Sequence, residues 1–243
     1  AVDSATIVAS LVFHLTGSAF AVGFASAVLR LGWLLPQLIV GYMVERADRR
    51  MPFYVFGALG RATILALISL LLWWGWDWPQ TNWPPTPLAA GFLALWTIYA
   101  CISGVVAVPY NDIVGRSIAS EARSRMLAWR FFGGGLIALL VAGFVRQAID
   151  VLPILLAYAA IFALAAALMI LSTVLFVLAG DRPIPKGRAE LIAPESVSAF
   201  LKGGWQVLTG DNRFRLFLYS QWLGGATFMA LPFYVVAAVK SGL

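Results

Sequence analysis

Long uncharged apolar runs, separated by short clusters of charge, set the pattern of this 243-residue chain. A helix that crosses a bilayer needs roughly 20 apolar residues. Runs of that length predict six complete spans, near residues 20–43, 52–74, 88–110, 126–145, 152–179 and 214–238. A shorter run at 5–15 reads as the end of a truncated helix, closed by the turn-like Thr16-Gly17-Ser18. The predicted connections are a charged loop at 45–50, a Trp- and Pro-rich loop at 76–87, a charged loop at 111–125, a brief turn at 146–150 and a long polar stretch at 180–212. In that stretch the Pro183 and Pro185 segment stops the preceding helix, because proline lacks an amide donor and restricts its predecessor. Residues 195–208 then predict a short amphipathic helix with Phe200, Leu201, Trp205 and Leu208 on one side.

Composition turns this pattern into a membrane assignment. Hydrophobic residues make up 61% of the chain and charged residues 12%, against about 25% charged in soluble domains. The net charge of +6 would prompt a nucleic-acid hypothesis in a soluble protein, but the basic residues flank apolar spans. Alternating the spans places 13 of the 17 basic residues in loops on one side, near 45–50, 111–130 and 181–215. Arg146 and Lys240 fall on the other side, and Arg30 and Arg61 lie inside spans. The preference of short basic loops for the cytoplasm orients the chain, with Trp73, Trp74, Trp76, Trp78 and Trp83 at the outer interface. The single cysteine, Cys101, permits no internal disulfide and is expected as a small buried side chain. No cleavable signal peptide is visible, since residues 1–15 lack a basic leader. Ala1 in place of an initiator methionine points to a piece of a longer chain.

Chemistry-bearing motifs are sparse. The sequence offers no nucleotide-binding Gly-Lys loop, metal-ligand cluster or nucleophilic triad. The expectation is therefore no enzyme, no catalytic residue, no metal and no cofactor, with His14 an ordinary packed or interfacial histidine. No acidic residue sits in the middle of a complete span, so coupling to protons or another ion stays open. Six spans, a longer connection and a renewed span fit two six-helix halves related as parallel repeats. That gives an N-terminal half at 1–179 with helix one truncated, a cytoplasmic linker at 180–213, and the first helix of a second half at 214–243.

The specific signal is Gly41-Tyr-Met-Val-Glu45-Arg46-Ala-Asp48-Arg49-Arg50, between the second and third spans. It resembles the signature loop of the major facilitator superfamily: a glycine, three residues, an acidic and a basic residue, any residue, a glycine and two basic residues. Gly41, Glu45, Arg46, Arg49 and Arg50 match, while Asp48 replaces the usual second glycine, which admits positive φ at little cost. The stretch 15–23 with Pro36-Gln37 is similar to the start of bacterial exporter-like members, and 110–125 with Arg130 resembles the loop joining spans four and five. The resemblance implies an all-α polytopic membrane protein with a partial major facilitator fold. It further implies secondary transport of a small organic solute by alternating access in a bacterial inner membrane, with efflux favoured. A solute/cation symporter and a non-transporting receptor or scaffold are the alternatives. The implied partners are membrane lipids, the solute and helices eight to twelve of the same protein; a monomer is compatible, and no nucleic acid is expected. In the family the residue matching Glu45 braces the two halves.

Arg30 is the candidate cavity residue of greatest interest. It lies fifteen residues before Glu45, about 22 Å along a continuous helix. Gly23, Arg30, Gln37 and Gly41 form one small or polar stripe. An arginine at that depth lines a watery cavity and favours anionic solutes, pairs with an acid, or snorkels. Gln37, Tyr99 and Ser103 are further cavity candidates, each also able to bond between or within helices. Asn111 and Asp112 fall at the mouth, as gate or helix terminator. At helical spacing Arg116 pairs with Asp112 and Arg125 with Glu121. Arg61 is expected as an anchor, and Gly133, Gly134 and Gly135 as a site of close helix packing.

Overall fold

The computed structural model describes residues 4–47, 49–77, 87–181, 196–227 and 230–241. All regular structure among them is helical, and five helices are long and apolar enough to cross a membrane. A π-helical turn, Ser4–Val8, runs into α1 (Ala9–Thr16). The long helices are α2 (Ala19–Arg46), α3 (Met51–Trp74), α4 (Pro87–Ser117), α5 (Ser120–Val151) and α6 (Ile154–Ala179). Three shorter helices follow: α7 (Val197–Gly210), α8 (Asn212–Thr227) and α9 (Leu231–Lys240).

The Thr16-Gly17-Ser18 turn works by local chemistry. Gly17 takes the left-handed region at φ 63° and returns its N–H to the Phe13 carbonyl, ending α1. Ser18 then caps α2, its hydroxyl accepting from the Ala21 N–H at 3.3 Å.

Packing is concentrated in the pairs α2/α4, α3/α4 and α3/α6. The core they enclose includes Leu65, Ile68, Leu72, Phe92, Trp96 and Phe162. The tightest crossing is α2 over α4. A Cβ on Gly104 would stand 2.6 Å from the Trp33 carbonyl oxygen, and one on Gly32 would stand 2.7 Å from the Ala100 methyl. Only hydrogens fit there, so the two backbones touch. Pro36 in α2 removes the donor that the Gly32 carbonyl would otherwise meet four residues on, and Gly104 packs against that carbonyl. The Trp96 indole N–H adds a buried bond to the Ala25 carbonyl at 3.1 Å. Hydroxyls tie the other pairs: Ser69 donates to the Ala159 carbonyl, joining α3 to α6, and Tyr158 bonds Ser10, joining α6 to α1.

Several expectations are corrected. The charged loop at 111–125 is mostly helix: α4 continues to Ser117 and α5 starts at Ser120. Hydropathy marks where a helix leaves the bilayer, whereas i,i+4 charge pairs carry it onward. For the same reason the turn at 146–150 is helical, with Arg146 and Asp150 paired at 3.8 Å, and the chain reverses only at Leu152 and Pro153. The predicted span at 214–238 appears as α8 and α9 on either side of residues 228 and 229, which lie outside the described residues; five helices of membrane length are found among the described residues. Cys101 is exposed, not buried. A Cβ added at Gly133, Gly134 or Gly135 would meet no described atom of another helix within 4 Å, because α5 touches the bundle mainly along α6 and is exposed over most of its surface. The predicted amphipathic helix is present as α7, capped by Ser196; it reaches α2 through Phe200, whose ring meets Tyr42 edge-on at 6.0 Å.

Candidate functional site

The ends of α2, α3, α4 and α6 meet at the pole that carries most of the basic residues. Arg50, just before α3, is buried and directs its Nε to Asp112 Oδ2 at 3.1 Å. The same oxygen receives Arg116 Nε at 3.1 Å, and Arg116 Nη2 lies 3.4 Å from Asp181, just past α6. Asp112 thus joins the α2–α3 connection to α4, and Arg116 joins α4 to the end of α6. Arg50 also donates to the Ala47 carbonyl, which fixes the end of the loop on the end of α2. Arg123 reaches back from α5 to the terminal carbonyls of α4, bonding Gly115 O at 2.6 Å. Cations at a helix C-terminus meet the negative end of its dipole, so both Arg116 and Arg123 suit the end of α4.

Beside this network is a cavity of about 600 Å³ between α3, α4, α5 and α6, with Trp33 of α2 at its edge. Tyr54, Tyr110 and Phe176 build an aromatic wall, with Tyr54 and Phe176 ring centres 4.3 Å apart and Tyr110 and Phe176 5.4 Å apart. Ser103 and Ser172 bring hydroxyls to the lining. Two arginines face it: Arg61 from α3, and Arg130 from α5, whose guanidinium carbon sits 5.3 Å from the centre of the Tyr110 ring. Among the described residues no carboxylate lines the cavity.

The residues singled out from sequence fall into three places. Arg50, Asp112 and Arg116 come together in the charge network. Arg46 stacks on Tyr42 at 4.2 Å, and Arg49 and Asn111 are exposed. The Glu45 side chain and all of Asp48 lie outside the described residues. Gly41 gives no close helix approach; a Cβ there would meet only Phe200, at 3.7 Å. Glu121 accepts from Ser120 at 2.8 Å, and the four-residue spacing to Arg125 yields no ion pair. Of the cavity candidates, Ser103 lines the cavity, its hydroxyl donating to the Tyr99 carbonyl at 2.7 Å. Tyr99 stacks on Trp96 with ring centres 5.0 Å apart. Gln37 turns back to its own helix, donating to the Trp33 carbonyl at 2.8 Å beside the Pro36 interruption. Arg30 is exposed and outside the lining. Its stripe instead faces the later helices: Gly23 meets Phe233 of α9 and Gly41 meets Phe200 of α7.

Sequence reasoning missed Arg61 and Arg130 as a facing pair. Against its own helix Arg61 is an anchor and Arg130 a loop charge, and a single-helix wheel carries no information about which neighbour a residue faces. The exposure of Arg30 has a measurable consequence. Arg30→Lys keeps the charge and a flexible stem, so it should insert and function like the parent, whereas Arg30→Leu should change membrane insertion more than solute affinity. A loss of solute affinity already at lysine, in correctly inserted protein, would return Arg30 to a contact role.

Compared with known proteins, the chain matches no family model, no curated protein and no solved structure.

Proposed function

We propose that the chain is part of a secondary transporter of the major facilitator type, which moves a small organic solute across a bacterial inner membrane by alternating access, in the direction of export. One observation carries the reading. Arg50 of the signature-like loop is bonded to Asp112 at the far end of α4, beside a polar-lined cavity among membrane-length helices. A loop that merely fixed topology would need only exposed charge. Here a buried arginine from the loop ties together helix ends within one six-helix half, which suits a half that moves as a unit against its partner during alternating access. The charge pairs lie at the one pole where that half would meet the other.

The test is transport by the full-length protein in sealed vesicles under an imposed proton gradient of either sign. Energy-dependent extrusion of small organic solutes is the expected result. Accumulation instead would assign the symporter reading, which the Pro109-Tyr110-Asn111-Asp112 segment also resembles. No movement of any solute under either gradient, from folded and correctly inserted protein, would sink transport and leave a receptor or scaffold.

A further inference from the structure

We propose that the cavity between α3, α4, α5 and α6 binds the carboxylate or phosphate head of an amphipathic molecule, with Arg61 and Arg130 on the charge and the Tyr54, Tyr110 and Phe176 wall against its apolar body. The proposal does not rest on transport: the bound molecule is either a soluble amphiphile or a lipid of the surrounding bilayer.

The charge balance of the lining is the first argument. Two guanidiniums face one space that, among the described residues, holds no carboxylate. Among the described residues the two acids at this pole are already engaged, Asp112 by Arg50 and Arg116, and Asp181 by Arg116. Among the described residues neither Arg61 nor Arg130 forms an ion pair. The Arg61 Nε is buried with no hydrogen-bond acceptor among the described residues. Arginine stays protonated at any ordinary pH, so it cannot relieve that situation by losing its charge. An anionic group entering the cavity supplies the missing acceptor and the missing countercharge together.

The shape is the second argument. A cavity of about 600 Å³ falls inside the range of small-molecule sites, roughly 300 to 1,000 Å³, which are mainly apolar with a few placed polar groups. Tyr54, Tyr110 and Phe176 provide a continuous aromatic surface. The planar fork of arginine matches the oxygens of a carboxylate or phosphate, and a flexible ammonium does not. A small inorganic anion would leave most of that aromatic wall empty. Snorkelling arginines would each reach the water along their own helix, whereas these two, from α3 and α5, line one space with the Tyr110 ring beside Arg130.

The experiment is equilibrium binding of radiolabelled dodecanoate to the full-length protein in phosphatidylcholine nanodiscs, with empty nanodiscs subtracted and methyl dodecanoate as the uncharged comparison. Dodecanoate should bind at least tenfold more tightly than the ester. Arg61→Gln and Arg130→Gln should each weaken dodecanoate roughly tenfold or more, the usual loss for a hydrogen bond to a charged group. The lysine variants should fall between, and Arg146→Gln, on the opposite pole, should bind like the parent. If Arg61→Gln fails to fold, Arg130→Gln decides the matter, because that side chain is exposed. Repeating the titration with phosphatidylglycerol added to the nanodiscs separates the two sources: competition assigns the head to a lipid, and its absence to a free amphiphile. Equal binding of acid and ester, or Arg130→Gln binding within twofold of the parent, would overturn the proposal.

Discussion

Gly104→Val should force α2 off α4 and leave little folded protein in the membrane. The substituted Cβ would enter 2.6 Å from the Trp33 carbonyl oxygen and 2.9 Å from that of Gly32. Both obstacles are backbone, so no rotamer change can make room, and the two helices must separate along a contact that also carries the buried Trp96 bond to Ala25. Overpacking a tight core costs about 1 to 3 kcal/mol even where side chains can adjust; here the cost should reach or exceed the top of that range. Gly115→Ala is the matched control, on the same helix with no atom within 4 Å of the added methyl, and it should be neutral or slightly stabilising because alanine is the better helix former. Size-exclusion profiles and thermal midpoints of detergent-solubilised protein read both. A monodisperse Gly104→Val protein with an unchanged midpoint would show that the crossing is not where this fold is held.

The second large effect is expected at Asp112. Asp112→Asn keeps the shape but removes the charge shared by Arg50 and Arg116, whose Nε atoms both lie 3.1 Å from one of its oxygens. Arg50 is then a largely buried cation that has lost its carboxylate, while Arg116 retains Asp181 at 3.4 Å. Removing one partner of a fully buried pair costs about 3 to 5 kcal/mol. The Asp112 side chain is 37% exposed, so solvent screening brings the expectation down to about 1 to 2 kcal/mol. A double-mutant cycle with Arg50→Gln isolates the bond, and a coupling of about 1 kcal/mol is expected for groups in direct contact. Strict additivity of the two changes would dissolve the network as an energetic unit. In the transport reading, the same substitution should also bias the facing state, seen as altered accessibility of single cysteines near residues 118 and 119.

The long helices were legible because burial in lipid demands unbroken apolar length, and α3 begins and ends within a residue of where hydropathy placed it. The ends of α4 and α5 were not, since polar residues at helical spacing extend a helix that hydropathy has already ended. Of the site, the loop containing Arg50 was visible as a motif, but its partner Asp112 lies 62 residues away and nothing in the spacing joins them. The Gly32–Gly104 contact was hidden for a related reason. The chain has 22 glycines, and which two meet depends on how α2 crosses α4. Gly41, inside the motif, drew attention that belonged to Gly32 nine residues earlier.

The weak hold on α5 has a consequence for how chain length in a bound amphiphile would count. Trp33, Arg130, Ser172 and Leu175, all cavity residues, are exposed, and among the described residues nothing stands against α5 at Gly133 to Gly135. The cavity therefore opens sideways, between α5 and the bundle, and a molecule whose head sits at the arginines can leave its tail in the hydrocarbon. Affinity counted from water then includes the partition free energy of that tail, about 0.8 kcal/mol per methylene. Each added carbon would tighten apparent binding roughly fourfold without one new contact to the protein, so a homologous series would report on the bilayer long before it reported on the site.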